Sequence, residues 1–154
     1  RFSNGVEAEY DLLVYVPPHR PPRVVTEAGL AGGAPGVTVD RHTLATPFDA
    51  VYAIGDVTSI PLNMGKPLPK AGVFAHAQGR VVADNVARAV TGRGREAAFT
   101  GHGECFVETG GGKAGFGSGN FYAEPLPQIR LWSPNRFWHG GKVLLEKTWL
   151  HGWS

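Results

Sequence analysis

Four positions in the chain carry side chains suited to chemistry. In TPFDAVYAIGDVTSIP, residues 46–61, an apolar run ends in Gly55-Asp56. A glycine there lets a ligand approach the backbone, because no Cβ stands in the way. Asp56 would accept hydrogen bonds from hydroxyls, and a sugar-like chain is the natural partner; read alone, Gly-Asp merely opens a turn after a buried strand. Lys70, in KPLPKAG, directly precedes a helical pattern; read alone, it is an exposed loop lysine. Cys105 is the only cysteine. As a thiolate it would be a nucleophile for sulfide or disulfide exchange; the equally balanced alternative is a buried structural thiol at the start of a strand. Lys142 and Glu146 are four apart, so they share a helix face as a pair worth a few tenths of a kcal/mol.

The elements that must position these residues follow from periodicity. YDLLVYVPP, residues 10–18, predicts a buried strand stopped by prolines. A helical turn is expected around residues 26–30, with Thr26 as its cap. VTVD, residues 37–40, alternates as a half-buried strand, and AVYAI, residues 50–54, reads as a fully buried one. A proline-rich loop follows. Residues 73–90 place apolar side chains at 74, 77, 81, 82, 86, 89 and 90, a helix with one buried face and Gly92 where it should stop. GECFVETGGGKAGFGSGNFYAEPLP predicts strand, glycine turn and strand. An amphipathic helix is expected from about Gly141 onward. A ligand site of an open α/β sheet lies beyond the carboxyl ends of its strands, and a following helix aims its free N–H groups and positive dipole at that space.

Composition narrows the function classes. With 154 residues, 42% hydrophobic and 18% charged, the chain is globular material. A net charge of +2 without any Lys/Arg run argues against nucleic acid. One cysteine allows no internal disulfide, and the six scattered histidines offer no ligand spacing, so no metal site is expected. No window has the roughly 18 apolar residues of a membrane span. The opening RFSNGVEAEYDLLVYVPP has no signal-peptide character and reads as the middle of a longer protein.

The string T-x5-Y-A-I-G-D resembles the second FAD-binding motif of two-dinucleotide-fold flavoproteins of the glutathione-reductase-like superfamily. YDLLVYVPPHRPPRVV, VYAIGDVTSIPL, PLPKAGVFAHAQG, GECFVETGGGKA, FYAEPLP and GKVLLEKTWL, in this order, resemble the C-terminal part of the sulfide:quinone oxidoreductase-like family across essentially the whole chain. The flavin subunit of flavocytochrome c sulfide dehydrogenase and type II NADH dehydrogenases are related. Cys105-Phe106 and the GKxxxEKxW tail favour the sulfide–quinone branch.

That resemblance implies an α/β fold, or α+β as a fragment: a partial FAD/NAD(P)-binding Rossmann-like domain with a C-terminal hairpin or meander and an amphipathic helix. Residues 1–36 would end an NAD(P)-like domain, 37–95 would be the C-terminal half of the FAD domain, and 96–154 the quinone-side region. Asp56 would bind a ribityl hydroxyl of FAD, Gly55 would give close approach, and the backbone of Lys70, Ala71 and Gly72 would face the flavin pyrimidine edge. A lysine at position 70 would stabilise the reduced, anionic flavin. Cys105 would carry sulfur with a partner from an N-terminal part, and Lys142 would support protonation of a reduced quinone oxygen. Phe106, Tyr122 and Phe137 are the expected quinone-side aromatics, or otherwise core residues. Leu145 stands where family members often have an aromatic residue, which removes part of the usual quinone sandwich.

The phosphate-binding GxGxxG of such proteins is not expected here. Gly110-x-Gly112-x-x-Gly115 matches it literally but opens onto no helix, so it reads as a hairpin turn. The chain alone is therefore expected to bind FAD weakly or not at all and to be inactive, with sulfide as donor and quinone as acceptor in the intact protein. The rival donor is NAD(P)H, with Cys105 structural. A third reading is a non-catalytic fragment that self-associates, as a homodimer, over its exposed flavin face. All four tryptophans follow residue 131. Core positions are expected for Trp132 and Trp138, and a membrane-surface position for Trp149 and Trp153, on a cytoplasmic protein peripheral to the cytoplasmic membrane.

Overall fold

The computed structural model describes residues 1–32 and 35–152. Trp153 lies outside the described residues. The fold is mixed α+β. Helix α1 is Arg23–Glu27, followed by β1 Val37–Thr38, a 3-10 turn Gly55–Val57 and β2 Thr58–Ser59. Helix α2, Gly72–Thr91, leads to a meander of β3 His102–Gly110, β4 Lys113–Asn120 and β5 Gln128–Asn135, and α3 Arg136–His151 follows directly. Strands β1 and β2 form a small parallel pair, and β3-β4-β5 is antiparallel in that spatial order.

Helix α2 matches its sequence pattern within a residue at each end. Gly92 closes it in the left-handed conformation, φ 68°, and its N–H returns to the Arg88 carbonyl. The glycine string after β3 is a hairpin turn: Gly110, Gly111 and Gly112 all have positive φ, which L side chains adopt at a cost. The main core gathers Leu44, Ile60, Leu62, Leu68, Phe74, Phe99 and Tyr122. A second, aromatic cluster joins the meander to α3. There Phe116 stacks on Trp138 at 4.7 Å, and Phe106 and Trp132 close the group.

Several expectations are corrected. YDLLVYVPP is not a buried strand. It is irregular and exposed throughout, Val14 by 85%, because β1 and β2 are two residues each and give it no edge to join. AVYAI is not a buried strand either. Only Tyr52 pairs, in a single bridge to Ala45, Ala50 turns through a positive φ of 58°, and Ile54 is 38% exposed. Thr26 does not cap α1; the helix starts behind Pro22, and Thr26 lies within it. Helix α3 begins at Arg136 rather than near Gly141, because Asn135 caps it, its side chain accepting the Trp138 N–H at 3.0 Å. Gly141 sits inside that helix, where an added Cβ would meet the Phe106 ring at 3.4 Å.

Candidate functional site

The 3-10 turn puts Gly55 and Asp56 just before β2. Gly55 has φ 67°, and a Cβ there would lie 3.2 Å from that of Ala75. Its N–H donates to Gln78 Oε1 at 2.7 Å, so a side chain on α2 fixes the turn. Asp56 is half exposed, with His19 Nε2 3.8 Å from its Oδ2. Lys70 donates its ammonium to the Thr58 carbonyl. Partial burial pulls the Lys70 pKa below its ordinary value, and the nearby Asp56 carboxylate opposes that shift.

Helix α2 starts immediately after Lys70 and Ala71. Ala71 provides no side-chain cap, and among the described residues the N–H groups of Gly72 and Val73 have no acceptor. The positive end of a 20-residue helix therefore stands beside Asp56 and Lys70. Gly55, Asp56, Thr58, Lys70, Ala71 and Gln78 line one hollow of about 10 Å³, the room of about one water. The structure thus brings Gly55, Asp56, Lys70 and Ala71 together, with Gly72 next to them. A ligand larger than water would meet these groups across the open surface.

Alternation along the strands separates the remaining candidates. Phe106 and Glu108 face α3: Gly141 abuts Phe106, and Glu108 Oε1 contacts His139 Nδ1 at 2.9 Å and Lys142 Nζ at 3.7 Å. Gly103, Cys105 and Val107 face the other way. At Gly103 that face meets α2, since an added Cβ would strike the Phe74 ring at 2.2 Å. Phe74 also lines the Asp56 hollow. Cys105 is exposed, its thiol 3.3 Å from the Phe106 carbonyl. It thus lies on the sheet face turned toward the start of α2, and Lys142 on the opposite face.

Lys142 pairs with Glu146 at 2.6 Å, and that hydrogen bond, aided by Glu108, raises its pKa above the ordinary lysine value. The three expected quinone-side aromatics are not brought together. Phe106 belongs to the cluster under α3, and Phe137 is 76% exposed against Trp138. Tyr122 is a core residue whose hydroxyl donates to the Arg41 carbonyl at 2.8 Å. Leu145, one turn after Lys142, lines an open groove of about 370 Å³ with His76, Thr148, Trp149 and Gly152. Trp132 and Trp138 sit in the aromatic cluster, and Trp149 packs on His76 at 4.8 Å.

Sequence reasoning missed Gln78, His19, Glu108 and His139. Only Gln78 left a local signal, as a polar residue on the predicted apolar face of α2. Among the described residues no three His, Cys, Asp or Glu side chains gather as metal ligands, and no helix is long and apolar enough to cross a membrane. No protein-family model matches the chain, and no curated protein matches its sequence.

Proposed function

We propose that the chain is the flavin-facing C-terminal part of an FAD-dependent oxidoreductase of the sulfide:quinone type. The observation that carries this reading is the convergence of an exposed carboxylate, a half-buried ammonium and an uncapped helix start on the turn after Gly55. A carboxylate suits sugar-alcohol hydroxyls, and a helix N-terminus with a nearby lysine suits an electron-rich heteroaromatic edge. These groups fit the ribityl and pyrimidine portions of FAD in chemical type. The parallel β1–β2 pair leading into α2 supports the finer description, a partial Rossmann-like FAD domain.

On this reading Asp56 accepts a ribityl hydroxyl, Gly55 keeps the approach free of side chains, and Lys70 with the Ala71–Gly72 backbone holds negative charge at the ring edge. FAD, when bound, supplies two-electron transfer between donor and acceptor. The exposed thiol of Cys105, on the sheet face turned toward α2, supports a donor of the sulfide class over a nicotinamide. Lys142, held by Glu108 and Glu146 on the opposite face, is a proton-bearing group for a quinone. A peripheral position on the cytoplasmic membrane goes with a quinone acceptor.

Two measurements test the reading. Titration of the chain with riboflavin, followed by amide NMR, should perturb Gly55, Asp56 and residues 70–73 and be lost in Asp56→Ala; shifts scattered elsewhere count against it. The longer polypeptide implied by the reading should purify with FAD that sulfide bleaches and NADH does not, and Cys105→Ser should abolish the bleaching. A colourless, flavin-free protein overturns it.

A further inference from the structure

His19 reaches Asp56 from a segment that prolines hold extended. Pro17-Pro18 and Pro21-Pro22 bracket His19-Arg20, and each pyrrolidine ring locks φ at about −65°. Pro22, where the segment meets α1, has φ -55° and ψ 149°, the polyproline conformation. Among the described residues, residues 17–21 make no backbone–backbone hydrogen bond. The stiffness of the prolines stands in for a ladder, so less freedom is lost when the imidazole is held in place.

Nε2 of His19 lies 3.8 Å from Oδ2 of Asp56, and both side chains are more than half exposed. That separation is too long for a direct hydrogen bond. It suits one oxygen placed between the two, about 2.8 Å from each. Such an oxygen must donate to the carboxylate, which only accepts, and must accept from the imidazole N–H. A hydroxyl does both at once. A carbonyl has no proton to donate and an ammonium has no lone pair to accept with. The pair therefore discriminates where Asp56 alone would take any donor. Lys70, the nearby cation, is turned to the Thr58 carbonyl.

We propose that His19 is a specificity-determining residue of the Asp56 site: together the two side chains bind a single hydroxyl of a sugar-alcohol chain, the imidazole donating to it and the carboxylate accepting from it. The identity of that chain rests on the flavin reading, on which it is the ribityl portion of FAD. The ring edge is left to Lys70 and the start of α2.

Titrations of the whole chain with riboflavin and with lumiflavin, which shares the ring but has no hydroxyl chain, test this by NMR and flavin fluorescence. Riboflavin should shift the His19 ring signals together with the Asp56 amide, and lumiflavin should leave the His19 ring untouched. His19→Phe keeps a ring without the donor, on an exposed segment where circular dichroism should not change. It should weaken riboflavin binding by about fivefold and leave lumiflavin unaffected. His19→Gln, which keeps an N–H, should recover most of the loss. Undiminished riboflavin binding in His19→Phe, with Asp56→Ala still deficient, overturns the role of His19 and leaves the flavin reading intact. Equal weakening of both flavins overturns it too, since His19 would then not be reading the hydroxyl chain. If neither flavin binds, the flavin reading fails and ribitol alone decides. Ribitol shifts at His19 and Asp56 that vanish in His19→Phe uphold the pair, and their absence overturns it.

Discussion

Gln78 and Gly55 are joined by a hydrogen bond of 2.7 Å, from the glycine N–H to the Gln78 side-chain oxygen, and Gln78 is only 1% exposed. A helix on one side of the core thereby dictates the backbone of the turn that presents Asp56. Gln78→Leu keeps the volume and removes the acceptor. The expected result is a loss of about 1–3 kcal/mol in urea unfolding, the cost of leaving a sequestered donor unmade. On the flavin reading, riboflavin-induced shifts at Asp56 should weaken in the same variant. An unchanged unfolding midpoint would show that the turn holds itself.

Gly103 is the point at which the meander touches α2. A methyl group there would sit 2.2 Å from Cε1 of Phe74, a buried ring packed edge-on against Phe99 and Phe121. Gly103→Ala should destabilise by about 1–3 kcal/mol through overpacking. Phe74→Leu opens space at the same spot, so the double variant should lose less than the two singles added together. Additive losses would mean that the strand shifts away from Phe74 instead.

How much of this was readable beforehand depended on where each element finds its partners. Helix α2 was legible because its apolar spacing, with Phe74, Val81 and Val82 on one face, and its Gly92 stop are local. The hairpin was legible because Gly110, Gly111 and Gly112 can mean little else between two strands. Residues 10–18 and 50–54 were misread because an apolar run signals strand propensity, whereas burial depends on a neighbouring strand that local sequence does not name. The start of α3 was misplaced because Gly140-Gly141 resembles a break, although Asn135 is an ordinary cap. The Asp56 turn was visible as Gly-Asp after an apolar run. Its partner His19 and the link of Glu108 to His139 join positions far apart in the chain, and no local pattern encodes them.

Asp40 organises the loop that carries Leu44 into the core. Its Oδ1 accepts the His42 N–H at 2.9 Å, the Thr43 N–H at 2.7 Å and the Thr43 hydroxyl at 2.9 Å. The Thr43 backbone bond does most to hold its pKa below the ordinary 3.8; slight burial opposes it and the His42 N–H adds to it. A carboxylate with a depressed folded pKa contributes stability above its unfolded pKa and loses it as pH falls through the folded value. The chain should therefore lose stability below about pH 4, and Asp40→Asn should flatten that part of the profile at a cost of about 1 kcal/mol near neutrality. Parallel acid profiles for the two proteins would refute the assignment.

Tyr122 gives the opposite, alkaline limb. Its ring is packed in the core against Phe99 and His42, Arg41 lies 3.9 Å over it, and its hydroxyl donates to the Arg41 carbonyl. Burial raises the phenol to about 12, although the Arg41 charge pulls the other way. A raised folded pKa means that the folded state holds the proton more tightly than the unfolded chain, where the value is near 10.0. Its contribution is whole below pH 10 and declines as pH climbs through the folded value. Ultraviolet titration should thus show a tyrosine step near 12. Tyr122→Phe should remove that late step and soften the alkaline loss of stability, at a neutral-pH cost of about 0.5–1.5 kcal/mol for the missing hydrogen bond. An ultraviolet titration that Tyr122→Phe leaves without change above about pH 11, with the fold intact, would show that the core admits water at Tyr122.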